Sequence, residues 1–374
     1  MSESKSHKQN SWLTTLSTRI KGLIDGELGH LLTVNRSRRP WHMPIIAAIA
    51  ISFPVFVGAY FGDLSAGIKA SLGSMIILNL PLVGGLPYRL VTVMAWGFAM
   101  ILSFALGLMA QQIPVLRLPV FMLIALSVVM FGRYYKQPPP AGLFTLMAGA
   151  IALFIPIPVD RILSAIGLVL LGSGSSMLLA LFYTLFLLAT RPTAPAPSYH
   201  YETDMISDSL IVVGFVSVAM VIAVVLEMQY PYWVAMSCFI IIQGIQLRTM
   251  WIKQLHRMLG TLVGMVVASG MLSWGLSTWG VAVAILCMML LIESFVDRHY
   301  GLAVIFITPL TIFIAEYGST MAVPPVAGDV IQTRMIDTAL GCVIGLSGGL
   351  AIHSTRLRAP LRRFEHCLLL RFNQ

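Results

Sequence analysis

Twelve apolar runs follow one another along the chain, and most contain about 17–23 residues, enough for a helix to cross a bilayer. A spanning helix satisfies its own backbone hydrogen bonds, as lipid requires, whereas a membrane β-barrel shows alternating segments of about ten residues. The pattern therefore predicts an all-α polytopic membrane protein with about twelve transmembrane helices. The first six runs are 42–60, 65–82, 89–110, 117–131, 142–158 and 162–189, and the second six are 209–227, 231–247, 256–275, 278–296, 300–316 and 334–353.

The composition supports this interpretation and excludes a soluble protein. Of the 374 residues, 57% are apolar and only 10% are charged, while soluble domains carry about 25% charged residues. The net charge of +9 does not indicate a nucleic-acid partner, because the basic residues are scattered at the ends of the runs. The predicted partner is the lipid bilayer.

Lys and Arg also predict the orientation. Twenty of the 24 basic residues fall on one side if both termini are cytoplasmic, and cytoplasmic segments are rich in Lys and Arg. The bias predicts cytoplasmic N- and C-termini, an even number of helices and a place in the inner (cytoplasmic) membrane of the cell.

The two halves of the chain are predicted to be parallel six-helix repeats. Runs 2 and 3, read from Lys69, resemble runs 8 and 9, read from Trp233, which places Asn79 opposite Gln243 and Arg89 opposite Arg257. Six helices per half preserve orientation, so the pseudo-twofold axis is expected along the membrane normal, with a substrate path at the interface. The predicted parts are a basic segment with an interfacial helix (1–41), the first repeat (42–190), a cytoplasmic linker (191–208), the second repeat (209–355) and a basic tail (356–374).

The stretch from Arg248 to Gly264 holds one candidate site. Arg257 is predicted at the cytoplasmic start of run 9, followed by Gly260, Thr261 and Gly264. Glycines four residues apart allow a neighbouring helix to approach closely. Two interpretations stay open: tight packing with an inside-positive anchor, or a cationic vestibule for an anionic substrate.

The second candidate site is at the predicted start of run 12. Arg334 and Asp337 are three residues apart, so they share one helical face, and Gly341 and Gly345 predict close packing. Asp337 is the carboxylate predicted deepest in the membrane, where ionisable residues are costly and usually functional. The pair is predicted either as a structural ion pair or as a proton-coupling or substrate-orienting pair.

Polar residues in other runs are weaker candidates for the substrate path. Lys69 either lines it or extends its amine toward water, and Asn79 and Gln243 either line it or cap helices. Glu293 and Asp297 are predicted to form a solvated helix end.

Motifs for other chemistry are absent from the sequence. It contains no GxxxxGK[ST], HExxH or GxSxG pattern, and its four cysteines show no paired spacing. We therefore expect a protein that is not an enzyme, with no catalytic residues, no cofactor and no metal site.

Three stretches together resemble the fusaric-acid-resistance-like (FUSC) family. They are Tyr232-Trp233 in one run, the Arg-x-x-Gly-Thr-x-x-Gly pattern from Arg257, and the Arg-x-x-Asp-Thr-x-x-Gly pattern from Arg334. The resemblance covers 231–349 and is faint in the first half, where Arg89 remains. That family includes bacterial aromatic-acid exporters, and plant aluminium-activated malate transporters are similar to it. The resemblance implies export of small organic, often aromatic, anions, with protons as the coupling ion.

The sequence thus predicts a secondary-active exporter of small organic anions. A passive organic-anion channel and a non-transporting membrane scaffold are the alternatives. Asp337 favours coupled transport, because a bare anion pore gains nothing from a buried carboxylate. Both a homo-oligomer and a periplasmic adaptor stay open as protein partners.

Overall fold

The computed structural model consists of helices and connecting segments, with no β-strand in the residues that it describes. The all-α prediction is therefore confirmed for this part of the chain. The predicted interfacial helix and most of the tail after 355 fall outside it. The structure describes residues 33–37, 39–137, 141–190, 194–197, 204–244, 247–318, 327–354, 358–363 and 365.

Each of the twelve predicted runs contains one α-helix. In the first half these are α1 (Met43–Tyr60), α2 (Leu64–Ser74), α3 (Leu86–Gln111), α4 (Arg117–Tyr134), α5 (Leu143–Ala152) and α6 (Val159–Thr190). In the second half they are α7 (Met205–Val225), α8 (Pro231–Ile242), α9 (Leu247–Ser273), α10 (Thr278–Phe295), α11 (Tyr300–Gly318) and α12 (Ala327–His353).

Eight helices in the described part are long and apolar enough to cross a membrane, and four apolar helices are shorter. The short ones are the second and the fifth of each half: α2 with its 3₁₀ continuation to Asn79, α5, α8 and α11, whose apolar part is Tyr300–Ile314. At a rise of 1.5 Å per residue, α5 and α8 extend about 15–18 Å, well short of the ~30 Å hydrocarbon core. By apolar length alone, eight of the described helices are candidate membrane spans rather than twelve.

Local sequence explains why two of these helices are short. Leu80, which follows the 3₁₀ turn, is extended with ψ 117°, as expected for a residue before a proline, here Pro81. Gly142 before α5 has φ +72°, a left-handed conformation that glycine adopts without strain. Pro156 and Pro158 follow α5 and prevent its continuation.

Helices pack in matching pairs in the two halves. Within the halves, α2 packs on α6 as α8 packs on α12, and α3 packs on α5 as α9 packs on α11. Between the halves, α1 packs on α10 as α7 packs on α4, and α2 packs on α11 as α8 packs on α5. The short helices thus lie inside the bundle, each against a short helix of the other half.

Polar contacts join connecting segments at one end of the bundle. The Gly84 amide before α3 donates to the Ala194 carbonyl after α6 at 2.8 Å. Arg133 in the last turn of α4 pairs with Asp208 in the first turn of α7 at 3.4 Å. Arg39 before α1 pairs with Glu293 in the last turn of α10 at 3.1 Å.

Two helices begin earlier than the apolar runs predict. Helix α9 begins at Leu247 and α12 at Ala327, although their runs were predicted from 256 and from 334. Arg257 therefore lies ten residues inside α9 rather than at its start, and Arg334 lies two turns inside α12 rather than opening it. Both guanidinium groups are deeper in the bundle than the sequence predicts.

Candidate functional site

Charged and aromatic side chains of the second half meet between α8, α9, α11 and α12. Arg257, Arg334 and Asp337, three residues predicted from the sequence, belong to this cluster and are buried, and Asp337 is fully buried. Trp233 at the start of α8 and Tyr300 at the start of α11 complete it. We call these five residues the α8–α12 cluster.

Arg334 packs against aromatic rings rather than against a carboxylate. Its guanidinium carbon lies 4.0 Å from the centroid of the Trp233 ring and 5.8 Å from that of Tyr230. This is cation–π geometry, whose energy grows when the cation is removed from water. The buried Nε has no hydrogen-bond partner, and the described side chains include no ion-pair partner of Arg334.

Asp337 is 0% exposed, and neither carboxylate oxygen has a hydrogen-bond donor among the described residues. The predicted structural ion pair with Arg334 is therefore not formed in this conformation, although the two residues share a helical face. An ionised carboxylate without a donor is costly to bury, in lipid above all. The site thus has an acid group that a proton or a bound donor would stabilise.

Arg257 is held by two hydroxyl groups. Its Nε and Nη2 donate to Ser237 Oγ of α8 at 3.3 and 3.0 Å, and its Nη1 donates to Tyr300 Oη of α11 at 3.2 Å. Thr261, one turn further along α9, is also buried. Arg257 and Arg334 lie within electrostatic range of each other, so two cations share this region with one carboxyl group.

Glycines bring the surrounding helices together. A Cβ added to Gly260 would lie 2.8 Å from the Gly301 carbonyl oxygen of α11, and one added to Gly264 would lie 2.7 Å from Thr308 Cβ. On α12, an added Cβ at Gly341 would lie 2.6 Å from Ser237 Cβ, and one at Gly345 would lie 2.8 Å from the Cys238 carbonyl oxygen. These predicted packing glycines thus lie at the α9–α11 and α8–α12 contacts, where side chains would separate the helices.

Arg89 lies apart from the cluster. Its Nε donates to the Gly84 carbonyl at 3.0 Å and its Nη2 to the Leu82 carbonyl at 2.9 Å, so it holds the segment that follows α2. In the second half Met250 meets the corresponding segment, because it contacts Gly244 after α8. Arg89 and Arg257 therefore do not occupy matching environments, contrary to the predicted equivalence.

The other predicted path residues are also separate from the cluster. The Lys69 amine donates to Ser65 Oγ at 2.8 Å, near the beginning of α2. Asn79 ends the 3₁₀ turn, and its buried amide nitrogen has no hydrogen-bond partner. Gln243 follows α8 and lines a cavity at the end of the bundle where Arg133 pairs with Asp208.

Some interactions were missed by the sequence interpretation. The sequence interpretation did not predict Trp233, Ser237 and Tyr300 as site residues. For Trp233 a signal was available, because the Tyr232-Trp233 pair lies at the start of a run. Glu293 is not a solvated helix end, because its side chain is 7% exposed and pairs with Arg39, while Asp297 pairs with Arg39 at 2.8 Å. Glu293 in the last turn of α10 and Asp297 just after that helix thus hold the segment before α1.

Comparison with known proteins agrees with the resemblance stated from the sequence. Residues 218–348 match the model of the family described as fusaric acid resistance protein-like. This segment, about a third of the chain, is therefore similar to the fusaric acid resistance protein-like family. It contains all five residues of the α8–α12 cluster. With eight apolar helices of membrane-spanning length, the chain is a multi-pass membrane protein that carries a fusaric acid resistance protein-like segment.

A bacterial membrane protein shows a partial similarity to this chain. The uncharacterized membrane protein YvaC of Bacillus subtilis (strain 168) is 30% identical over 117 residues, which are 31% of this chain and 18% of the relative. The matched part thus spans less than a fifth of that relative. No solved structure matches the chain.

Proposed function

We propose that this protein is a secondary-active exporter of small organic anions, with aromatic anions as the preferred class, in the inner (cytoplasmic) membrane. The family match supports a transport-related role. The observation that carries the proposal is the α8–α12 cluster, where Arg257 and Arg334 accompany one buried carboxyl group, that of Asp337. Because the cluster has two buried guanidinium groups and only one carboxyl group, positively charged hydrogen-bond donors remain for an anion.

The aromatic rings beside Arg334 suit a planar substrate. An aromatic anion that enters along α8 can direct its carboxylate to a guanidinium group and place its ring against Trp233 or Tyr230. Arginine favours planar, bidentate recognition of carboxylates. The substrate class therefore follows from the donors and the rings together.

Asp337 supplies a reason for coupling to protons. With a proton on Asp337, the cluster carries two uncompensated positive charges, and without that proton the carboxylate opposes a bound anion. Proton occupancy and anion occupancy are then linked, so the proton and the anion bind and cross together, and an outward gradient of the anion drives export. In a passive channel this acid would have no evident use.

We further propose twelve membrane crossings in two parallel six-helix repeats, 42–190 and 209–355, with both termini in the cytoplasm. The matched helix pairs and the short second and fifth helices of each half support it. Gly84 precedes α3 and Ala194 follows α6, and the hydrogen bond between them joins the two residues at one end of the bundle. The chain from Gly84 to Ala194 therefore needs an even number of crossings. The long helices α3, α4 and α6 give three, which supports a fourth crossing by α5. The short helices would cross with their extended neighbours, and broken helices inside a bundle are a common place for transporter substrates.

The experiment that tests the proposed activity compares metabolites released by cells that lack the protein, cells that produce it, and cells that produce the Arg334→Gln variant at the same level. We expect aromatic carboxylates in the medium to rise only with the native protein. An unchanged set of released organic anions, with the native protein verified in the membrane, would contradict the proposal.

A further inference from the structure

A row of aromatic rings leads from the α8–α12 cluster to the beginning of α4. The ring of Trp233, which lies against Arg334, is followed by that of Tyr232 at a centroid distance of 5.4 Å. Tyr232 is followed at 6.4 Å by Phe154, just after α5, and the guanidinium carbon of Arg117 lies 6.0 Å from the Phe154 centroid. Rings interact with each other and with a cation at such separations. The row therefore connects an arginine of the first half to one of the second.

Arg117 has hydrogen-bond donors that the described residues do not use. Its one hydrogen bond among them runs from Nη2 to the Gln111 carbonyl at 2.9 Å, and it forms no ion pair with any of them. Its buried Nε has no hydrogen-bond partner. A guanidinium group carries five N–H donors, and a ring beside it does not neutralise its charge. Arg117 can therefore accept a ligand carboxylate without giving up a carboxylate of the protein.

The row is open at Arg117 and closed at Arg334. Arg117 and Phe154 are half-buried, whereas Tyr232 is 4% exposed and Arg334 is 6% exposed. The Tyr232 ring lies between Phe154 and Trp233 and separates the two ends of the row. A ligand can therefore reach Arg117 from the surface of the bundle while the α8–α12 cluster stays closed.

The ring beside Arg117 favours an aromatic anion over an inorganic one. A guanidinium group alone attracts any anion, phosphate and chloride included. An aromatic carboxylate can in addition place its own ring against Phe154, while its carboxylate forms charge-assisted hydrogen bonds with Arg117. The combination suits a small molecule with one carboxylate and one aromatic ring.

We propose that Arg117 and Phe154 form a second binding site for aromatic monocarboxylates, with the ligand carboxylate on the guanidinium group and its ring against Phe154. Arg117 begins α4 and Arg133 lies in its last turn, so the site is at the end of the bundle opposite to the Arg133–Asp208 pair. In the proposed topology that end is outside the cytoplasm, and the site receives the anion that leaves the α8–α12 cluster. This order of events rests on the proposed function, whereas binding at Arg117 does not.

The test is equilibrium binding of radiolabelled benzoate to the purified full-length protein in nanodiscs of phosphatidylcholine, a lipid without net charge. The Arg334→Gln variant, whose cluster has lost the arginine beside Trp233, should keep saturable binding. Arg117→Gln in that background should weaken it by about tenfold or more, the effect of losing a charge-assisted hydrogen bond. Arg161→Gln is the matched control, because Arg161 is exposed in the first turn of α6, at the same end of the bundle.

Two further measurements make the test independent of any single variant. Phe154→Leu leaves Arg117 in place and should reduce the preference for benzoate over cyclohexanecarboxylate by about threefold, because only the aromatic ligand gains from the Phe154 ring. In the protein with its native Arg334, Arg117→Gln should remove one bound benzoate per chain. That result does not require Arg334→Gln to fold.

The outcomes separate this inference from the proposed function. Equal amounts and affinities of bound benzoate with and without Arg117→Gln would overturn the site, even if the protein exports anions through the α8–α12 cluster. An unchanged ligand preference in Phe154→Leu would overturn the placement of the ligand ring on Phe154. Loss of one bound benzoate in Arg117→Gln, with normal binding in Arg161→Gln, would establish the site. That result would hold even if the native protein exported no anion.

Discussion

Arg334 lies over the indole ring of Trp233, with its guanidinium carbon 4.0 Å from the ring centroid. The pair joins the first turn of α8 to a point two turns inside α12 and leaves the neighbouring Asp337 without a hydrogen-bond donor among the described residues. The cation is thus fixed by a ring that does not neutralise it. It remains able to bind an anion.

Replacement of Trp233 should weaken anion binding at the cluster. Trp233→Leu removes the cation–π contact, which is worth about 2 kcal/mol at a desolvated site, and should raise the substrate concentration for half-maximal flux by about tenfold or more. Trp233→Phe keeps a ring and should have a smaller effect. Flux measurements in proteoliposomes check this, with Trp274→Leu as the control because Trp274 is 76% exposed. Equal effects of the two Leu variants would contradict a specific role for Trp233.

Close packing of α9 on α11 should depend on its glycines. Gly264→Leu forces a side chain against Thr308, and overpacking typically costs about 1–3 kcal/mol. We expect a lower unfolding temperature and less monodisperse protein. Gly270→Leu on the same helix is the control, because an added Cβ there meets no atom within 4 Å. If both variants unfold like the native protein, the Gly264 face does not need a glycine.

The ion pair between Arg39 and Glu293 should stabilise the bundle. Arg39→Gln leaves a nearly buried carboxylate without its cation, whereas Arg39→Gln with Glu293→Gln leaves two neutral amides. The double variant should therefore recover stability relative to Arg39→Gln, and a double-mutant cycle on thermal unfolding measures this coupling. Arg298→Gln is the control, because Arg298 is exposed. Additive effects would show that the pair contributes nothing beyond its separate charges.

The sequence predicted where helices form better than how long they are. Hydropathy identifies apolar stretches, and all twelve contain a helix, but it does not show that α5 ends before Pro156 or that α2 becomes a 3₁₀ turn before Pro81. It also missed the first turns of α9, because Arg248, Lys253 and His256 make them polar. Arg257 was consequently predicted at the start of run 9, either as an inside-positive anchor or as part of a cationic vestibule, and not ten residues inside a helix.

The candidate site was predicted only in part, for a related reason. Arg257, Arg334 and Asp337 stood out because charges are rare in apolar runs. Their aromatic and hydroxyl partners did not, because Trp233, Ser237 and Tyr300 are ordinary residues in membrane helices. Which of them meets an arginine depends on helix packing between distant segments, and a single sequence does not specify that packing.

The proposed topology makes a prediction about the chain outside the bundle. Reporter fusions at residues 195 and 370 should both report the cytoplasm, because 20 of the 24 basic residues lie on that side. Fusion at a position between α1 and α2, such as Gly62, should report the opposite side. Opposite locations for residues 195 and 370 would indicate an odd number of crossings in the second half and would contradict parallel repeats.

The central claim is that Asp337 links protons to anion transport at the α8–α12 cluster. The most direct measurement is benzoate flux in proteoliposomes with and without a pH gradient, for the native protein, Asp337→Asn and the control Asp160→Asn, whose carboxylate is exposed at the start of α6. We predict that the gradient changes flux in the native protein and in Asp160→Asn, whereas Asp337→Asn still transports benzoate but no longer responds to the gradient. An Asp337→Asn variant that responds to the gradient like the native protein would contradict the account and assign Asp337 a structural role.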